Sequence, residues 1–159
     1  MRNEITRGMK DSIPICAGYL AVGFTFGIAA AAQGINAAGA GLICLTNVTS
    51  AGQFAGLTII SNGGSLIEMS VSQLVINMRY ALMSLSLSQK LHSSVGIGKR
   101  LIMSFTNTDE IFAVVSGRNV PVTFSYMFGV SIVSWLGWSG GTLFGAVAGE
   151  VLPSFYYRD

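Results

Sequence analysis

At 159 residues, the chain is long enough for one membrane domain of about four to six spans, and a second, soluble domain would not fit. Hydrophobic residues make up 51% of it and charged residues only 10%, so a soluble globular domain, about a quarter charged, is not expected. The net charge of +2 is scattered, without the basic run that is typical of nucleic-acid-binding proteins.

The first two apolar segments lie in a stretch without charged side chains, from Ser12 to Ile67. Segment 13–32 is long enough to predict a membrane-spanning helix. Segment 37–60 is apolar at both ends, but its centre, 46–53, is polar and contains a glycine. A membrane tolerates such an interruption only where protein or water covers the backbone, so we expect a broken or re-entrant helix.

The third apolar segment, 66–87, carries Arg79 near its middle. An arginine at the centre of a bilayer costs about 2.5–3.5 kcal/mol on insertion scales, so a polar or acidic group should face it. Charged residues inside membrane segments mark substrate or ion pathways by default. We therefore expect Arg79 to belong to a polar pathway.

The fourth segment, 101–117, has a polar centre that allows two interpretations. In the first, one helix spans the membrane with Asp109 and Glu110 inside it. In the second, a helix begins after Thr108, which caps it, and both acids lie in its first turn.

The fifth segment, 122–148, is long enough to cross a membrane with some tilt. One face of this segment carries a glycine ridge, which consists of Gly137, Gly141, Gly145 and Gly149. Small residues at this spacing let another helix approach closely. The glycine ridge therefore predicts a packing surface, either for the chain's own bundle or for a partner subunit, including a second copy in a homo-oligomer.

The positive charges predict the orientation in the membrane, because lysine and arginine accumulate on the cytoplasmic side. They cluster near the amino terminus, within 2–10, and in a polar hinge, 88–100. Three complete spans between these clusters would place them on opposite sides, whereas a segment 37–60 that enters and leaves on one side keeps both inside. The sequence thus predicts an all-α, polytopic membrane bundle in the plasma membrane, with a cytoplasmic amino terminus and broken or re-entrant segments.

Several polar residues within the apolar segments are candidates for substrate binding. Arg79 presents a guanidinium that holds a carboxylate with two hydrogen bonds, which a lysine does less well. Backbone and amide groups near an interruption suit the charged ends of an amino acid. The candidate contributors are Asn77, Gln53, Ser50 and Gly52. The alternative for Arg79 is a buried structural ion pair with Asp109 or Glu110.

Asp109 and Glu110 are adjacent, so on a helix they point about 100° apart and have different roles. One would neutralise Arg79 while the other takes up and releases a proton. The alternative is a solvated pair at a helix start. No metal-ligand cluster, phosphate-binding loop or nucleophile motif is present in the sequence, so we expect no cofactor, no metal and no enzymatic activity.

Three motifs, in the order found here, resemble the azaleucine-resistance (AzlC) family, the large subunit of branched-chain amino acid exporters. They are Ser-Ala-Gly-Gln-Phe-Ala at 50–55, Asn-Met-Arg-Tyr at 77–80, and Thr-Asp-Glu at 108–110. The resemblance extends from about Ile13 to Gly149, and implies proton-coupled efflux of leucine, isoleucine or valine. It also implies a small hydrophobic partner subunit of the AzlD type, and further spans in family members beyond the point that matches Asp159.

Two other functions fit the same residues. One is a non-transporting membrane scaffold, in which the glycine ridge assembles subunits and Arg79 with Asp109 forms a structural lock. The other is an intramembrane enzyme that uses the two acids as a catalytic pair. Adjacent acids on one helix diverge, so we expect the enzyme least.

Overall fold

The computed structural model of the chain describes residues 2–156, and the side chains of residues 3–151. This part of the chain consists of helices and contains no β-strand beyond an isolated bridge between Leu91 and Val122. The helices are α1 (Arg2–Asp11), α2 (Ile13–Ala32), α3 (Ala37–Thr46), α4 (Ser50–Ser61), α5 (Leu66–Lys90), α6 (Ile97–Ser104), α7 (Asp109–Ser116) and α8 (Phe124–Tyr156). The predicted all-α membrane bundle is confirmed.

Two helices of the described chain are long and apolar enough to cross a membrane: α2, and α8 over Phe124–Val151. The third segment forms α5, which has 25 residues and a length of ~37 Å at 1.5 Å per residue. Serines and the polar side chains of Gln73, Asn77 and Arg79 interrupt its apolar sequence. This helix is therefore long enough to span but less apolar than α2 and α8.

Both segments with polar centres are broken, as the sequence predicts for 37–60. Residues 47–49 separate α3 from α4, and residues 105–108 separate α6 from α7. None of these four helices exceeds 12 residues, or ~18 Å, so none crosses a hydrocarbon core of about 30 Å alone.

The start of α7 decides between the two interpretations of the fourth segment. Asp109 is the first helical residue, and the hydroxyl oxygen of Thr108 accepts a hydrogen bond from the N–H of Ile111 at 3.5 Å. Both acids therefore lie in the first turn, where the helix dipole favours negative charge.

The chain divides into two compact units. Among the described residues, unit 1 comprises 2–17 and 78–136, and unit 2 comprises 18–77 and 137–156. Each unit has its own helix packing and its own polar groups, described separately below.

In unit 1, α1 packs closely on the first half of α8. A Cβ on Gly8 would collide with the backbone of Tyr126, and a Cβ on Gly129 would collide with the backbone of Ile5. This reciprocal contact requires glycine on both helices, because the two backbones approach too closely for any side chain.

An ionic network reinforces the contact between α1 and α8. The guanidinium of Arg118 pairs with the carboxylate of Glu4 at 3.0 Å and lies 3.7 Å from the ring centroid of Tyr126. The Tyr126 hydroxyl donates to the carboxylate of Asp11 at 2.8 Å. Asp11 thus ties α1 to α8 directly, and Glu4 ties α1 to Arg118 in the segment before α8.

In unit 2, the glycine ridge of α8 packs against α2 of the same chain. A Cβ on three of its glycines would meet atoms of α2, at Gly141, Gly145 and Gly149. In return, a Cβ on Gly23 or Gly27 of α2 would meet the backbone of α8. Of the two uses predicted for the glycine ridge, the structure shows packing within the chain's own bundle. A homo-oligomer through the ridge stays a prediction.

Aromatic side chains fill the space beside these glycines in unit 2. The ring of Trp138 lies edge-on to Tyr19 at 5.6 Å between centroids and stacks on Phe26 at 6.4 Å. Phe26 also meets Phe54 of α4 edge-on at 5.3 Å. The core of unit 2 thus connects α2 and α8 with α4.

Candidate functional site

Arg79 and Asp109 form an ion pair in unit 1. Nη1 of Arg79 lies 2.7 Å from Oδ2 of Asp109, and the two side chains are 45% and 43% exposed. α5 supplies the arginine, and the capped start of α7 fixes the position of the carboxylate. The expected partner is therefore found, but the pair is half-open and not buried.

Two neighbours modify the surroundings of this pair. The guanidinium of Arg79 lies 5.2 Å from the ring centroid of Tyr80, within the range of a cation–π contact. Glu110 follows Asp109 in α7, so it points about 100° away, and its side chain is exposed. The two acids therefore have different environments, as the sequence predicts.

Asn107 contributes a second contact between α5 and the break that precedes α7. Its Nδ2 donates to the hydroxyl of Ser84 at 3.2 Å, and the residue is 5% exposed. Its Oδ1 is buried and has no hydrogen-bond partner among the described residues. Sequence reasoning missed Asn107 as a site residue, although a buried amide beside the two acids was the available signal.

In unit 2, Asn77 and Gly52 are joined through Gln73. Nε2 of Gln73 donates to the carbonyl oxygen of Gly52 at 2.8 Å, and Nδ2 of Asn77 donates to Oε1 of Gln73 at 3.1 Å. The hydroxyl of Thr49 donates to Oδ1 of Asn77 at 2.6 Å. These hydrogen bonds hold α5 against the break that precedes α4.

The hydrogen bond from Thr49 to Asn77 also concerns the start of α4 at Ser50. Thr49 precedes this helix, but its side chain makes no capping hydrogen bond to it. The first N–H groups of a helix have no partner within the helix and attract anions. The start of α4 therefore has no side-chain cap, and the role predicted for the backbone near Ser50 stays a prediction.

Gln53 faces a different cluster of unit 2. Its Nε2 donates to the sulfur of Cys44 at 3.3 Å, and the Cys44 thiol donates to the hydroxyl of Thr142 at 3.0 Å. Oε1 of Gln53 is buried and without a partner in the described part of the chain. Cys44 is fully buried and takes part in this polar cluster.

The predicted site residues thus fall into separate groups. The structure joins Arg79 to Asp109 in unit 1, and it joins Asn77 to Gly52 in unit 2. Gln53 belongs to neither group, because its amide nitrogen donates to Cys44.

A comparison with known families agrees with the motifs at these positions. The family model of the AzlC protein matches residues 14–152, which is most of the chain and includes every predicted site residue. The chain belongs to the AzlC family. Its membrane character follows from the same comparison, because its AzlC-type relatives are named as membrane proteins.

Three relatives illustrate the similarity. The inner membrane protein YgaZ of Escherichia coli K12 is 28% identical over 153 residues, which cover 94% of this chain and 62% of YgaZ. An uncharacterized membrane protein of Archaeoglobus fulgidus is 33% identical over 146 residues, 92% of this chain and 63% of that protein. One of Helicobacter pylori J99 is 28% identical over 156 residues, 93% of this chain and 67% of that protein.

The chain spans a little over three-fifths of the length of YgaZ and of the Archaeoglobus protein. No solved structure matches this chain.

Proposed function

We propose that this AzlC-family chain is a subunit of a membrane transporter that exports branched-chain amino acids in exchange for protons. The half-open Arg79–Asp109 ion pair is the observation that carries the proposal. Both members are accessible in unit 1, and each has the charge opposite to one end of an amino acid. The family resemblance supplies leucine, isoleucine and valine as the proposed substrates.

An amino acid zwitterion replaces this ion pair without a change in net charge. Its carboxylate takes the place of Asp109 on the guanidinium of Arg79, and its ammonium takes the place of Arg79 on the carboxylate of Asp109. Because a charge in a membrane interior needs a partner, such an exchange leaves no charge unpaired. The site therefore favours a zwitterion over a simple anion or cation.

Proton coupling follows from competition at Asp109. A protonated Asp109 no longer attracts the ammonium of the substrate, so a proton and the substrate exclude each other at this carboxyl. Exclusion of this kind produces antiport, in which protons that enter the cell drive the amino acid out. We assign the proton to Asp109, which pairs with Arg79, and Glu110, the next residue of α7, is the second candidate.

The polar groups of unit 2 are proposed as further substrate contacts on the transport path. The start of α4 near Ser50, which no side chain caps, suits a carboxylate, and Oε1 of Gln53, without a partner among the described residues, suits an ammonium. Asn77 and Gly52 are already hydrogen-bonded to Gln73. In this proposal they therefore act by fixing the position of the break between α3 and α4, beside which these contacts lie.

We also propose a small hydrophobic partner subunit of the AzlD type. α5 exposes a series of large apolar side chains that need lipid or protein as cover in a membrane, including Leu66, Leu74, Leu82 and Leu85. A partner helix packed against α5 would also shield the segment that carries Arg79.

A membrane scaffold is the second candidate, because Arg79 and Asp109 neutralise each other at 2.7 Å without any third group. In a scaffold this pair would act as a structural lock, and export would not depend on it. We propose no enzymatic activity.

The test is export of labelled leucine from cells that express the chain with an AzlD-type partner. Arg79→Lys keeps the positive charge but loses the two-pronged hydrogen bonding, so export should fall at least about tenfold while insertion and partner binding persist. Arg7→Lys, on the exposed face of α1, is the matched control and should export normally.

Unchanged export by Arg79→Lys would remove the assigned role of this residue. No export from an inserted, partner-bound wild-type chain would favour the scaffold.

A further inference from the structure

Unit 1 contains a cavity of about 230 Å³ beside the break between α6 and α7. Its floor consists of Leu87, Met103 and Asn107, each exposed by no more than 5%. Its rim includes Ile97 and Leu101, which are largely exposed, so the cavity is open on one side. The walls are apolar except for a few hydroxyls, the guanidinium of Arg100 and the amide of Asn107.

Asn107 connects this cavity to the ion pair. Along α5, Arg79 contacts Asp109 and Ser84 contacts Asn107, and these two positions of α5 are separated by a rise of ~7.5 Å. Around α5 these two positions point about 140° apart, so the cavity and the ion pair are connected through the chain itself: Asn107 lines the cavity, and Asp109 follows two residues later. A small ligand at the ion pair would have the cavity beside it.

The unsatisfied oxygen of Asn107 points to a missing donor. A buried carbonyl oxygen without a hydrogen bond is unfavourable and rare in folded proteins. Oδ1 of Asn107 is such an atom among the described residues, and its amide nitrogen is already used by Ser84. An ammonium group would satisfy it, whereas a carboxylate would repel it.

We infer that this cavity is the side-chain subsite of the transport site, with Asn107 as a further ammonium acceptor and with Leu87 and Met103 as the residues that limit side-chain size. This inference rests on the proposed function, because it assumes that Arg79 and Asp109 hold the two charged ends of the substrate. The aliphatic part of the amino acid then lies against the apolar floor and displaces water from it.

The volume of the cavity determines which amino acid side chains fit into it. An apolar cavity of about 150 Å³ is known to hold benzene, and this one is larger at about 230 Å³. The subsite therefore accommodates the benzyl group of phenylalanine as well as the isobutyl group of leucine. We expect phenylalanine to be a substrate or a competitor.

The test measures uptake of labelled leucine, valine and phenylalanine into vesicles that contain the full chain with its partner. Leu87→Phe adds a ring to the floor, so the uptake of phenylalanine should fall at least about tenfold relative to the uptake of valine. The matched control is Leu136→Phe, the same change in α8 at a residue that is 56% exposed and outside the cavity lining. Asn107→Leu should lower the affinity for all three amino acids without changing the order of preference among them.

The outcomes separate the inference from the proposed function. Transport that needs Arg79, with the same selectivity in Leu87→Phe and Leu136→Phe, would overturn the inference and leave the proposed function intact. Full affinity in Asn107→Leu would overturn the ammonium contact and indicate that water satisfies this oxygen. Wild-type vesicles that take up none of the three amino acids would overturn both the proposed function and the inference.

Discussion

Arg79 and Asp109 carry the two charges on which the proposed binding of an amino acid depends. Each is held by a helix, and each remains more than two-fifths exposed. An ion pair in this condition is a weak source of stability, because solvent and counter-ions compensate for its loss. In the proposed function, the pair acts instead by exchanging its two charges for those of a zwitterion.

The acid that carries the proton can be identified by separate neutral substitutions. Asp109→Asn should weaken leucine binding and remove its dependence on pH, because no carboxylate is left for the ammonium or the proton. Glu110→Gln is the matched control on the same turn of α7, and its binding should still weaken as the pH falls. Leucine affinity at neutral and at acidic pH measures the difference, and pH dependence that persists in Asp109→Asn would reassign the proton.

Gln73 makes the hydrogen bonds that hold the break before α4. Gln73→Leu would leave the Gly52 carbonyl and the Asn77 amide without this partner, so we expect a loss of about 1–3 kcal/mol in unfolding free energy. Gln89→Leu is the control, because Gln89 is exposed near the end of the same helix. The thermal midpoint of the purified protein in detergent should fall for the first variant alone, and equal midpoints would contradict this role.

Residue-scale prediction from the sequence succeeded where charge alone determines the contact. An arginine in an apolar segment needs an acid, and Asp109 was one of two expected partners. The direction of a neutral side chain is harder to predict, because Gln53 has several partners of similar strength and turns to Cys44. Asn107 was missed because its hydrogen bond to Ser84 depends on how α5 packs.

The helices around the two breaks illustrate what local sequence can and cannot predict. The centre of 37–60 is polar and contains a glycine, so a break there was expected, and it lies at 47–49. The centre of 101–117 allowed two interpretations because apolar flanks favour one long helix while Thr108 favours a new start. The hydrogen bond from the N–H of Ile111 to the hydroxyl oxygen of Thr108 supports the second interpretation, in which a new helix begins after Thr108.

Glycine substitutions test the packing of α8 on α2. A Cβ at Gly145 would collide with the backbone of Phe24, so Gly145→Ala should lower unfolding free energy by about 1–3 kcal/mol through overpacking. Gly140→Ala is the matched control in the same helix, because a Cβ there meets no atom within 4 Å. Thermal midpoints in detergent compare the two variants, and an equally stable Gly145→Ala would contradict the close packing.

At the scale of the whole molecule, composition predicts a membrane protein, and the family comparison agrees. The number of crossings is less accessible from sequence, because two of the five apolar segments are broken and α5 is only moderately apolar. The division into two units was also not predicted, since it depends on contacts between residues far apart in the chain.

The distribution of positive charge predicts that the amino terminus and the hinge both face the cytoplasm. Asn3→Cys and Ser93→Cys place a thiol at an exposed position in each segment, after replacement of Cys16 and Cys44 by alanine. A membrane-impermeant thiol reagent should label neither site in intact cells and both sites in opened cells. Labelling of one site in intact cells would place the two segments on opposite sides of the membrane.

The direction of proton movement tests the exchange at Arg79 and Asp109 most directly. Leucine is added outside vesicles that contain the chain, its partner and an internal pH indicator. If leucine and a proton compete for Asp109, leucine entry should drive protons out and make the interior more alkaline, and Asp109→Asn should abolish this change. Protons that enter together with leucine would contradict the competition and the export mechanism built on it.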